Sequence, residues 1–110
     1  MTRFGVYQNR NPRSSATFPL LVDVQSELLE DLETRVVIPL TRAASFSDFP
    51  LRFVMPTVQL DGKAYVLMTP QLAGLSRATL GPVKGTLEAH AREVSVATDM
   101  LFRGFPGPGL

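Results

Sequence analysis

Apolar residues come in short clustered runs through most of the chain and at helical spacing near its end. Residues 3–7 are aromatic and contain Val6, which predicts a first strand. Residues 9–15 read N-R-N-P-R-S-S, a cluster of turn formers, and a mobile loop is expected there. Residues 19–24, P-L-L-V-D-V, form a continuous apolar run that predicts a buried second strand. Residues 25–34 are polar around one apolar pair, Leu28 and Leu29. Residues 35–40, R-V-V-I-P-L, predict a third strand; Pro39 has no N–H for a ladder and marks an edge, a bulge or the strand's end.

Residues 41–53 read as a linker. Residues 56–60 and 63–69 flank Asp61-Gly62, a pair that accepts the positive φ angles of a type I′ turn, so a hairpin is expected. Residues 76–80 can supply one further strand, and residues 81–86 a turn feeding the last element. From Thr86 onward, Leu87, Ala91, Val94, Ala97, Leu101 and Phe105 fall in steps of three and four, the signature of one helical face. Thr86 is the expected N-cap; Gly104 and Pro106 are the expected stops. Val96, Met100 and Phe102 lie off that stripe, which predicts a helix packed on its own sheet and on a second subunit. Many strands followed by one helix predict a mainly β, antiparallel domain over residues 1–105, with a disordered tail at 106–110.

Composition adds little to this picture. A chain of 110 residues fits one domain, and 45% apolar residues make it slightly greasy for its size, as a buried subunit interface would. Net charge is +1, and no basic block suggests direct nucleic-acid binding. Arg3, Arg10 and Arg13 open the chain without an acid among them, and five of the ten acids then fall between Asp23 and Glu33, an expected solvated loop. The absence of cysteine excludes disulfides and thiolate metal sites and fits a cytoplasmic protein. No apolar stretch suggests a signal peptide or a membrane span.

The search for chemistry is mostly negative. His90 is the lone histidine; Glu88 is two residues before it, and i, i+2 neighbours on a helix do not face each other, so a packing or surface role is expected rather than a triad or a metal site. Residues 81–86, G-P-V-K-G-T, faintly resemble a phosphate loop, but the lysine precedes the second glycine and Pro82 removes an amide donor. Asp23, Glu27, Glu30, Asp31 and Glu33 are acid–base candidates by type only. The expectation is a binding protein, not an enzyme, with no cofactor and no metal.

Several segments together resemble the CcdB family. They are F-G-V-Y at 4–7, L-V-D-V-Q-S-E-L-L at 21–29, R-V-V-I-P-L at 35–40, P-T-V-Q-L at 56–60, L-M-T at 67–69 and M-L-F-R-G-F at 100–105. The order and spacing hold over residues 1–105. The resemblance implies an SH3-like barrel of antiparallel strands with a small β-wing and a C-terminal α-helix. It also implies a homodimer whose helix ends meet near the two-fold axis, with Met100 and Leu101 in the interface. Its function would be that of the toxin of a toxin–antitoxin pair, often a plasmid-maintenance device. Such a toxin traps DNA gyrase on cleaved DNA through the gyrase A subunit and is neutralised by a CcdA-like antitoxin.

Carried over residue by residue, the family's gyrase contacts fall on Leu28, Leu29, Asp99, Phe102, Arg103, Gly104 and Phe105. The family's tryptophan is Arg103 here, and its terminal isoleucine is Phe105. Read from the residues alone, Leu28-Leu29 is either an exposed patch or a buried loop anchor, Phe102 either a contact or core, and Arg103 either a contact or a cation favouring the helix C-terminus. The antitoxin is expected on Gln8, Asn9, Arg10, Arg13 and Ser14, where a basic loop suits an acidic disordered segment. Two other functions stay open: an mRNA-cleaving ribonuclease of the MazF-like toxins, which share the fold, and a non-toxic relative that binds only an antitoxin.

Overall fold

The computed structural model describes residues 2–46 and 51–105. Seven antiparallel strands form one curled, half-barrel sheet, and a single α-helix closes the described chain. The strands are β1 (Gly5–Asn9), β2 (Leu20–Asp23), β3 (Thr34–Arg42), β4 (Thr57–Leu60), β5 (Lys63–Leu67), β6 (Ala73–Ser76) and β7 (Leu80–Thr86); the helix α1 spans Ala91–Arg103. The order across the sheet is β4-β5-β3-β2-β1-β7, with β6 also paired to β3.

Strand alternation sorts side chains onto two faces. Val6, Leu20, Val22, Ile38 and Leu40 turn toward the helix and meet Val58, Leu60, Tyr65, Leu67, Leu87, Val94 and Ala97 in the main core. Ile38, Leu40 and Leu67 are fully buried there, each worth about 1.5–3 kcal/mol by area. The intervening residues Tyr7, Leu21 and Val37 form a smaller cluster with Leu80 on the opposite face.

Of the edge, bulge or strand end expected at Pro39, the edge and the strand end do not apply. Pro39 lies inside β3, opposite Leu21 of β2. On its other side β3 has two partners, β6 along Thr34 to Val37 and β5 along Leu40 to Arg42. Pro39 sits where one partner hands over to the other, and its carbonyl accepts from Met68 N–H at 2.9 Å. The missing amide thus falls at a gap between the two pairings.

The Asp61-Gly62 hairpin forms as expected: β4 pairs with β5, and both turn residues have positive φ (51° and 75°). The segment before the helix differs. Residues 81–86 are no turn but most of β7, and the strand expected at 76–80 is displaced to β6, followed by a 3-10 turn at Arg77–Thr79. A register shift between Val6 and Tyr7 places Lys84 in a bulge between Gly85 and Val83. The helix starts at Ala91, not after Thr86, because a 3-10 turn at Glu88–His90 intervenes. Thr86 Oγ1 accepts from Glu88 N–H at 3.1 Å and so serves that turn instead of the helix. Propensity and periodicity do not separate a short 3-10 turn from a first helical turn, since both bury Leu87 in the same place.

The loop after β1 carries hydrogen bonds of its own. Asn9 Oδ1 accepts from Asn11 N–H and Asn11 Oδ1 from Arg13 N–H, each at 3.0 Å, and the amides of Ser14 and Ser15 both return to Asn11 O. The linker after β3 begins with a 3-10 turn at Ala43–Ser45. Its residues 47–50, and the tail expected at 106–110, lie outside the described residues.

Candidate functional site

The first group of expected site residues lies just past β2. Ser26 opens a 3-10 turn, Glu27–Leu29, its hydroxyl accepting from Leu28 N–H at 3.2 Å. Leu28 is 94% exposed and Leu29 48% exposed, which decides for the patch over the buried anchor. Leu32, 48% exposed, extends the patch; its lone apolar letter among acids gave no signal by itself.

Beneath this turn lies a polar network. Asp23 is no part of a solvated acidic loop: its side chain is fully buried. Its Oδ2 accepts from Arg35 Nε at 2.7 Å, and Arg35 is also fully buried. Asp23 Oδ1 accepts from Gln25 N–H at 2.9 Å. Arg35 Nη1 donates to Leu29 O at 3.2 Å, and Gln25 Nε2 donates to the same carbonyl at 3.0 Å. Gln25 Oε1 accepts from Val36 N–H at 2.9 Å, so a side chain takes over the ladder where β2 has ended. The legible signal was alternation: Asp23 falls on the face of Leu21, and Arg35 on the face of Val37, in paired strands.

The second group lies at the end of α1. Val94 and Ala97 are buried; Asp99, Met100 and Leu101 are half-buried; Phe102 is 71% and Phe105 54% exposed. Phe102 is therefore not core in the described chain. Gly104 adopts the left-handed conformation (φ 76°), and its N–H donates to Met100 O at 3.0 Å, ending the helix as a glycine cap does. The guanidinium of Arg103 stands 4.8 Å from the centroid of the Phe105 ring, a cation–π contact. Each of the two family departures at this end is thus in contact with the other.

Three of the third group, Asn9, Arg10 and Ser14, line an open pocket of about 530 Å³ on the sheet face opposite the helix, whereas Gln8 and Arg13 do not. Phe18, Leu21, Val37, Pro39 and Leu75 give it an apolar lining, and Asn9, Arg10, Asn11 and Ser14 contribute polar groups. Of the expected antitoxin residues, Gln8, Arg10 and Arg13 are exposed. Asn9 is buried, and its amide is committed to Ser14 Oγ at 3.0 Å and Phe18 O at 2.8 Å; it shapes the loop instead of facing outward. Neither Arg10 nor Arg13 takes part in an ion pair among the described residues.

His90 is tied into the fold. Its Nε2 accepts from Gln59 N–H of edge strand β4 at 3.2 Å, and its Nδ1 lies 2.6 Å from Glu93 Oε2. The ring straps the entry of the helix to the sheet, and among the described residues no group of three or more His, Cys, Asp or Glu side chains is disposed to hold a metal ion. No helix among the described residues is long and apolar enough to cross a membrane.

The three groups occupy three elements: the turn after β2, the end of α1 and the loop after β1. A family model described as CcdB protein matches residues 3–104 of the chain.

Proposed function

The chain belongs to the CcdB family and is thus of the toxin type of a toxin–antitoxin system, and from that premise we propose that it acts on DNA gyrase. In this reading the protein is a cytoplasmic homodimer that binds the gyrase A subunit and traps the gyrase–DNA cleavage complex, without catalysing a reaction itself. The observation that carries it is the exposure of Leu28, Phe102 and Phe105, large apolar side chains at positions matching the family's gyrase contacts. Half-buried Met100 and Leu101 beside them suit a helix end that a second subunit covers. Two copies of one patch then face a target that is itself two-fold symmetric.

Arg103 gives this surface a cation where the family has an aromatic ring. An arginine on the target that would stack on that ring meets like charge here, so the matching target surface differs in kind. The test is a cleavage-complex assay with the host's own gyrase. Wild-type dimer should trap it, Arg103→Trp should trap it less, and deletion of residues 104–110 should abolish trapping while leaving a folded dimer. Equal trapping by all three would overturn the assignment of the site.

The antitoxin reading rests on the third group. An acidic, disordered segment finds Arg10 and Arg13 in no ion pair among the described residues and, beside Arg10, an apolar pocket of a size to take side chains. Its binding should weaken with salt, and the double variant Arg10→Ala, Arg13→Ala should lose most of that salt dependence. Unchanged affinity and salt dependence would remove the electrostatic part of this reading.

A further inference from the structure

We propose that Asp23, Arg35 and Gln25 are positioning residues that hold the Leu28–Leu29 turn in one conformation, ready to dock; this deepens the gyrase reading and rests on it. The turn is held from several sides. The Leu29 carbonyl receives two donors, Gln25 Nε2 and Arg35 Nη1, at 3.0 and 3.2 Å. Asp23 fixes both donors, taking Arg35 Nε with one oxygen and the Gln25 backbone amide with the other. Ser26 Oγ holds Leu28 N–H from the entry side. Beyond the turn, Arg77 Nη2 donates to Glu30 O, and Arg77 N–H donates to Glu33 O at 2.7 Å.

This is much scaffolding for a segment whose Leu28 is 94% exposed and whose Leu29 is half-exposed. Stability alone does not account for it. Two fully buried charges carry a desolvation cost that an apolar pair of similar volume would avoid. Among the described residues, the buried Arg35 Nη2 has no hydrogen-bond partner. What the arrangement achieves is a fixed carbonyl at Leu29 and therefore a fixed direction for the exposed leucines. A patch that is already ordered loses less conformational freedom when a partner covers it.

The variant to test is Gln25→Met, which keeps length and removes both side-chain hydrogen bonds without stranding a charge. Binding of the full-length dimer to the isolated gyrase A subunit is measured for wild type, Gln25→Met, Leu28→Ala and the double variant, with methyl relaxation at Leu28 and Leu29 in parallel. Gln25→Met should weaken binding about three- to tenfold, the scale of ordering one or two side chains, and should raise leucine mobility. In the Leu28→Ala background it should add little, whereas Phe102→Ala should remain additive with it. A merely structural Gln25 would give the same loss in both backgrounds, and that result overturns the proposal. So does a wild-type turn whose leucines are already as mobile as in Gln25→Met. If wild type does not bind gyrase at all, the gyrase reading fails, and the relaxation data alone then decide whether the network holds the turn.

Discussion

The turn after β2 and the end of α1 both expose large apolar side chains, yet they are held in different ways. The turn has no buried residue of its own. Its order comes from outside: a strand guanidinium and a side-chain amide converge on one carbonyl, and a strand carboxylate holds both of them. The helix end is held locally, by its own ladder, by the left-handed Gly104 and by Arg103 resting on Phe105. An exposed segment without regular structure needs tertiary donors to be rigid, whereas a helix carries its hydrogen bonds with it. Damage to the fold should therefore spread from the first region and stay contained in the second.

The largest effect is expected at Arg35. Arg35→Met leaves the buried Asp23 carboxylate without its partner and should destabilise the protein by about 3–5 kcal/mol in a urea melt. Adding Asp23→Leu should recover much of that loss, because the pair then becomes apolar. If the single variant is as stable as wild type, the ion pair does not hold the region. A smaller effect on the monomer, but a large one on assembly, is expected at the helix end. Leu101→Glu is half-buried within one chain, so the monomer should fold, while a charge in the proposed interface should shift the dimer to monomer at micromolar concentration in light scattering. A dimer that tolerates it would place the interface elsewhere. The smallest effect on stability is expected at Leu28, 94% exposed, where Leu28→Ala should change the unfolding free energy by no more than about 0.5 kcal/mol while still weakening gyrase binding. A large stability loss there would mean that the leucine serves the fold and not a partner.

Much of this was legible in the chain. Continuous apolar runs located β2 and β3, Asp61-Gly62 located the hairpin, and the spacing of Val94 and Ala97 found the buried face of the helix. These features depend on neighbours in sequence, and period and turn chemistry report them directly. The motif around V-D-V-Q-S and the helix end also marked the two apolar regions. Whether Leu28 faced solvent or core was undetermined, because a lone apolar pair in a polar stretch has no period.

Only the tertiary structure decided the rest. Pro39 is tolerated inside a central strand because β5 and β6 divide the neighbouring edge between them, a fact about two other segments. Lys84 enters a bulge because β7 must follow β1 past a register shift, which turned an apparent loop into a strand. By local sequence Asp23 is one more acid of a polar stretch, and its burial depends on Arg35, twelve residues away, whose Nε lies 2.7 Å from it. A hydrogen bond or an ion pair has two ends, and when they lie on different strands the local sequence contains only one of them. Local pattern thus located β2, β3, the β4–β5 hairpin and the helix, whereas the pairing of strands made β7 out of an apparent turn and determined which polar groups are buried and what they hold in place.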